Sequence, residues 1–522
     1  MILEGSWAMS DMQAQAPAVK ATLDELFRRA LTRHPDRLAL VDPADRADFT
    51  DGPVRRLTYA QADRAISALA ARLRAFGLPT DAVVAVQLPN ICESVIALLA
   101  VARAGLIAAP MPLLWRHADA TAALSRVAAR ALIGCQRVGD AIHGDLAMQI
   151  AMETFTIRFL CGFGQNLPDG VVPVDDIFAT RDVAALIDRP GHAADHLALV
   201  TFEVTADGVV PIARSHAELL AAGLAVQLEG RIMPGAVLLG ALAPACFASL
   251  ATTLMPWLIS GGTLVLHQPF APGVFARQHA QERCSVAVVP GPMVARLAEA
   301  GLIGDGGTAV LAVWRSPERL ASSAPWPADA GALTDVAAFG ELGLVPLRRG
   351  ESGKPSALPT GRLAFPRAAA QGTAQGMHAI NLARTPGGTV ALSGPMVPKA
   401  PFPPGAERGH AAKLKITDGA IDTGYSCKID RDTKMLTVDG PPAGVISVGG
   451  YRFGLRNMQE LIGGIEDGST LAALPDMLAG HRLAGSGADR DAICDALLAH
   501  GANPLLVAAF RARRAGRRNF AA

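Results

Sequence analysis

The chain has 522 residues, half of them hydrophobic and 18% charged, with a formal net charge of +1. A chain of this length and apolar content buries a sizeable core in two or more domains and is not intrinsically disordered. The near-neutral balance leaves no basic field for nucleic acid, and seven widely spaced cysteines without a C-x-x-C pair indicate neither a zinc site nor a disulfide framework, so a reducing cytoplasm is the expected compartment.

Residues 1–20 carry no basic segment followed by an apolar run, so no signal peptide is read there. They are expected to be a flexible N-terminus, with Met9 or Met12 as an alternative start. Residues 21–33 place apolar side chains at helical spacing behind Thr22 as N-cap. A short strand, Leu38–Val41, follows. Leu57-Thr58-Tyr59 leads into a long amphipathic helix over 60–76. Ala82–Leu88 reads as a buried strand, the next helix runs to Arg103, and Ile107–Ala109 is a further strand before Pro110. Strand and helix alternate in this way to about residue 345, which argues for mostly parallel sheet covered by helices. The apolar run Ala236–Leu266 is broken by Pro244, Pro256 and Gly261-Gly262, so it is read as strand, helix, strand rather than a membrane span.

Residues 197–216 read LALVTFEVTADGVVPIARSH. A strand over Leu197–Thr201, a turn at Ala206-Asp207-Gly208 and a helix over Ala217–Val226 have the layout of a phosphate loop, in which backbone N–H groups face an anion. The chemistry of such a loop is thin here. One glycine remains, and no lysine occurs between Lys20 and Lys354. After Gly350 the texture changes. Short segments at Gly361–Phe365, Thr389–Ser393, Lys413–Thr417 and Met435–Val438 predict a β-rich unit. Gly440-Pro441-Pro442-Ala443-Gly444 reads as a linker to a small C-terminal α/β piece.

The order of motifs resembles the adenylate-forming (AMP-binding) superfamily of acyl-CoA and aryl-CoA ligases, peptide-synthetase adenylation domains and luciferases. The resemblance rests on Leu57-Thr58-Tyr59, VAVQLPNICESVIALLAVARAGLIAAPMP (84–112), Leu242–Phe247 with Gly261-Gly262-Thr263, FGELG (339–343), GESGKP (350–355), LSGPMV (392–397), DGAIDTGY (418–425) and VISVGGYRFG (445–454). It implies an α/β fold: a large N-terminal region over 21–439, made of two α/β layers to about 345 and a β-rich subdomain over 346–439, then a small C-terminal α/β domain over 440–522. It also implies a chemistry. A carboxylate attacks ATP to give an acyl-adenylate, and a thiol such as coenzyme A then displaces AMP. The C-terminal domain rotates between the steps and delivers a lysine to the first.

Carried over residue by residue, the resemblance makes Thr205, Gly208, Gly340, Glu341, Asp422 and Tyr425 the nucleotide-side candidates. Phe247, Trp314 and Ala338 are the acyl-pocket candidates, and Gly449 and Gly450 the thiol-side candidates. Glu341 is the Mg candidate if FGELG carries a two-residue deletion; without a gap the position falls on Gly343 and the ligand is lost. Several family groups are replaced. The loop lysine falls on Val210, Glu203 and Asp207 add negative charge beside it, and the ribose aspartate falls on Tyr425, with Asp422 three residues early as a substitute or a plain turn residue. The ribose arginine falls on Pro441, and no lysine follows Lys434. Drift from lysine to arginine does not account for Val210; Arg214, the nearest arginine, is expected inside the following helix. Arg511, Arg513 and Arg514 read as an exposed tail. Phe247 and Trp314 either shape a small pocket or fill an unused one.

The reading favoured by these residues is a divergent synthetase-like protein, impaired or inactive in catalysis and kept to bind a small carboxylic acid, an acyl-CoA or a partner protein. The alternatives are a working ATP- and Mg-dependent acid–CoA ligase and an acyltransferase using a preformed acyl-CoA or acyl-adenylate.

Overall fold

A computed structural model describes residues 20–180, 193–366, 377–403, 410 and 412–511. The expected N-terminal flexible segment (apart from Lys20) and the tail arginines Arg513 and Arg514 lie outside the described residues. The first helix, Leu23–Arg33, and the long helix Tyr59–Ala75 each start at a threonine with a complete capping box, Thr22 with Glu25 and Thr58 with Gln61.

The alternating strands and helices divide between two sheets. The eight-stranded sheet has parallel central strands, including Val237–Gly240, Val286–Pro290, Ala309–Trp314 and Leu333–Phe339, with antiparallel pairs at both edges. The seven-stranded sheet is likewise parallel except for the hairpin at one edge. Strand alternation assigns the cores. Val84 and Val86 face a core that also contains Leu238, Leu264 and Val310 of the other sheet; Val83 and Ala85 face a second core under the helices His117–Arg126 and His143–Glu153. A third sheet carries strands Gly361–Phe365, Met377–Arg384, Thr389–Ser393, Ala420–Ile429 and Met435–Gly440. A four-stranded sheet starting at Val445–Val448 packs its own core against helices Leu455–Ile465, Arg490–Ala499 and Pro504–Phe510. The run 236–266 is strand, helix, strand, as its prolines and glycines predict. No helix among the described residues is long and apolar enough to cross a membrane.

The segment expected to be a phosphate loop is a β-hairpin. Leu197–Thr205 and Gly208–Ser215 pair antiparallel from Leu197↔Ser215 to Thr205↔Gly208, and only Ala206-Asp207 turn. The reason is the alternation of VVPIAR between two cores: Val210 and Ile212 enter the core between the sheets, while Val209 and Ala213 face the second core. Pro211 is tolerated because this is an edge strand. Arg214 therefore lies on the strand, not in the helix, and is fully buried. The helix His216–Glu229 begins one strand length from the turn, roughly 24 Å away. A capping box takes up the Ser215 and Glu218 N–H groups, at 2.9 and 3.2 Å, and the His216 N–H donates to the His196 carbonyl at 3.2 Å, so these amides do not face an anion.

Candidate functional site

Residues from all four larger sheets converge beyond the carboxyl ends of the central strands of the eight-stranded sheet, where open α/β sheets form their crevices. Val237–Gly240 leads to Cys246 and Phe247, Ala309–Trp314 leads to Arg315, and Leu333–Phe339 leads to Gly340 and Glu341. The hairpin contributes Glu203 and Arg214, strand Ala420–Ile429 contributes Tyr425, and strand Tyr451–Gly454 contributes Arg452.

Glu203 is the centre of this cluster. Alternation along its strand places it on the same face as its cross-strand partner Val210, and it is buried. Its Oε2 accepts the Glu341 backbone N–H at 2.5 Å, and its Oε1 is paired with Arg452. Burial raises the Glu203 carboxyl above the usual range, and Arg452 and the Glu341 amide oppose that rise. The second guanidinium nitrogen of Arg452 donates to the Tyr425 hydroxyl, and the Tyr425 ring stands edge-on to Phe339 at 5.5 Å. Gly340 has a φ of +59°, and a Cβ there would overlap the Glu203 carboxylate; only glycine fits.

Glu341 is buried, and its Oε2 accepts the Phe247 N–H at 2.7 Å, so the carboxylate caps the start of the helical segment from Phe247 to Ser260. Its carbonyl accepts from Arg214, whose guanidinium lies 3.6 Å over the Phe247 ring. Burial lowers Arg214 to about 10, against the pull of Glu341, Glu218 and Glu203. Arg315 makes no side-chain hydrogen bond or ion pair among the described residues. Burial alone would lower its pKa, but Cys246, Glu341, Tyr451 and Glu203 together raise it. The cluster thus brings three arginines to two carboxylates.

The other candidates divide. Thr205 Oγ1 donates to the Gly208 carbonyl at 2.9 Å and accepts the Asp207 N–H at 3.3 Å, so both candidates close the turn on itself. The C-terminal segment packs on that turn: a Cβ at Gly444 would come 2.8 Å from Ala206 Cβ, and one at Gly454 would come 3.0 Å from the Thr205 carbonyl. Asp422 lies on the face of its strand opposite Tyr425, where it accepts from Thr389 Oγ1 at 2.7 Å and the Gly424 N–H at 2.9 Å. The structure does not bring it to the cluster. Phe247 is part of the cluster, whereas Trp314 donates its Nε1–H to Asp335 at 2.8 Å and Ala338 is buried in the core. Gly449 and Gly450 form the two-residue turn between Val445–Val448 and Tyr451–Gly454, with φ of +59° and +86°, and a Cβ at Gly450 would meet Arg315 at 3.2 Å. Among the described residues no group of three or more His, Cys, Asp or Glu is placed to hold a metal ion. Sequence reasoning missed Arg315 and Arg452; the signal for Arg452 was its place in the GGYRFG stretch.

A family model described as AMP-binding enzyme matches residues 27–160. The 2-hydroxy-7-methoxy-5-methyl-1-naphthoate–CoA ligase of Streptomyces carzinostaticus is 30% identical over 180 residues, 33% of this chain and 32% of that protein. The salicyl-AMP ligase/salicyl-S-ArCP synthetase of Mycobacterium tuberculosis is 40% identical over 86 residues, 16% of this chain and 14% of that protein. The chain therefore spans about a third or less of the length of these curated relatives. The amide bond synthetase McbA from Marinactinospora thermotolerans has the same fold, with a TM-score of 0.68 at 17% identity over 92% of this chain and 94% of that one. Residues 27–160 thus match the AMP-binding enzyme family model, and the chain shares the α/β fold of that solved amide bond synthetase across 92% of its length.

Proposed function

We propose that this chain is a divergent adenylate-forming-fold protein that does not adenylate a carboxylate and is kept to bind a ligand or a partner protein. The observation that supports this reading is the Glu203–Arg452–Tyr425 cluster. A buried carboxylate, its arginine and an aromatic ring stand where the resemblance would put triphosphate and ribose. The residues present do not fit ATP and Mg. Val210 brings no cation, the hairpin turn has its hydroxyl and amide bonded internally, and the Glu341 carboxylate caps a helix. A phosphate entering beside Glu203 meets a like charge, worth about 1 kcal/mol at 4 Å even in water and more when buried. The surplus arginine, Arg315, suits a small carboxylate or the anionic part of an acyl thioester, which keeps the carboxylic acid and acyl-CoA classes in view.

The test is calorimetric titration of the whole chain with ATP·Mg, AMP and a panel of acyl-CoAs, alongside pyrophosphate exchange with a panel of carboxylic acids. The expected result is no ATP binding in the micromolar range and no exchange. Micromolar ATP affinity with exchange would sink the proposal. One observation favours the second reading, a working ligase: the arginine that occupies Glu203 comes from the C-terminal sheet, so displacement of that sheet would free the carboxylate and open the cleft. The same titration decides between the two.

A further inference from the structure

At the amino ends of two interior strands of the eight-stranded sheet, a cavity of about 220 Å³ opens between the first helix and the segments that precede strands Val237–Gly240 and Thr263–Leu266. One wall carries Arg29, Arg33, His34 and Arg37; Leu26 and Leu258 are among its apolar lining. Of the acids on this helix, Asp24 is bonded to Arg28 and Arg103, and Glu25 accepts the Thr22 N–H at 2.8 Å in its capping box while its charge still reaches Arg29. Arg37 Nη1 donates to the Gly261 carbonyl at 3.1 Å, and a Cβ at Gly235 would come 3.3 Å from that nitrogen, so the glycine leaves the guanidinium its room. Arg29 Nη1 is shut from solvent and has no hydrogen-bond partner among the described residues. Burial and the nearby Arg33 lower the Arg29 pKa while Glu25 opposes them. Basic residues at a helix C-terminus are favoured by its dipole. The dipole does not account for a buried guanidinium nitrogen without an acceptor, because such a group costs free energy until one arrives.

We propose that this cavity binds a small phosphate monoester, with the phosphate held by Arg29, Arg33 and Arg37 and the apolar part against Leu26 and Leu258. Arginine forks match phosphate oxygens in pairs. The cavity is smaller than the roughly 300–1,000 Å³ of sites for drug-sized ligands, which restricts the occupant to about the size of phenyl phosphate.

The experiment is isothermal titration calorimetry of the whole chain with phenyl phosphate, inorganic phosphate, benzoate and phenol. Phenyl phosphate should bind at least tenfold more tightly than phenol or benzoate, inorganic phosphate should compete with it, and added salt should weaken it. Arg29→Gln with Arg33→Gln should lower its affinity at least tenfold while thermal unfolding remains cooperative. Arg37→Lys, which keeps the charge and loses the fork, should give a smaller loss. Arg315→Ala, in the cleft, should leave the affinity unchanged; if it abolishes binding, the ligand sits in the cleft and the proposal fails. It also fails if phenyl phosphate binds no better than phenol, or if the Arg29 and Arg33 substitutions change nothing. ATP affinity is read in separate titrations, so failure here leaves the proposed function standing and the reverse also holds.

Discussion

Replacing Arg452 with methionine is expected to cost about 3–5 kcal/mol of stability, because it leaves a buried carboxylate without its cation. Glu203 and Arg452 are both under a tenth exposed, so solvent screens the pair little. The Glu341 N–H remains on Oε2, and the variant removes the cation bonded at Oε1. The double variant Glu203→Gln/Arg452→Met should recover most of the loss, since a buried pair exchanged for uncharged groups is often neutral. The loss should also depend on pH. The Glu203 pKa is raised in the folded chain, so its cost is complete above the folded pKa and vanishes as pH falls through the unfolded value. Without Arg452 the folded pKa rises further. Urea unfolding of wild type, single and double variants at pH 7 and near pH 4.5 should show the single variant approaching wild type at the lower pH. A loss equal in single and double, or flat with pH, means the pair contributes through packing and not charge.

Restoring the family's polar groups should destabilise the chain without creating a nucleotide site. Consider Val210→Lys, Tyr425→Asp and Pro441→Arg made together. Pro441 is exposed, and its change should fall within about 0.5 kcal/mol. Tyr425 is 2% exposed and packed on Phe339, and removing a buried aromatic costs about 3–5 kcal/mol before the new carboxylate is counted. Val210 is 4% exposed, and a lysine there enters an apolar core, with Glu203 across the strand pair already held by Arg452. Unfolding by urea should therefore show a loss of at least about 3 kcal/mol, and calorimetry should show no micromolar ATP binding. Micromolar affinity in the triple variant would mean that the backbone still holds a preformed pocket and that only side chains were lost.

Local signals in this sequence were strong where they involve neighbours. Thr22 and Thr58 are followed three residues later by Glu25 and Gln61, and both caps are formed. The strands Leu38–Val41, Gly361–Phe365 and Thr389–Ser393 coincide with their expected ranges because apolar runs end at turn residues. The hairpin was misread because its turn residues, Ala206-Asp207-Gly208, also fit a loop. Only the pairing of VVPIAR with the preceding strand, a tertiary matter, makes it a second strand. The cluster itself was half legible. Glu203 and Tyr425 stood out as replacements of family residues, whereas the partner of each is Arg452, more than 200 residues from Glu203 and supplied by another sheet. Asp422 lies three residues before Tyr425 on one strand; residues of opposite parity face opposite sides, and Tyr425 holds the buried one.

The seven free cysteines are all buried and spread through every layer: Cys135 and Cys161 on the seven-stranded sheet, Cys92 heading a helix between the layers, Cys246 and Cys284 beside the eight-stranded sheet, Cys427 in the third sheet and Cys494 in the C-terminal helices. Burial pushes Cys135, Cys161 and Cys284 up to about 12, so at neutral pH they are thiols and poor nucleophiles. The folded chain is consequently almost silent to alkylating reagents, and each cysteine becomes reactive only when its own layer opens. Site-resolved alkylation rates would then rank the layers by opening free energy, with no substitution introduced.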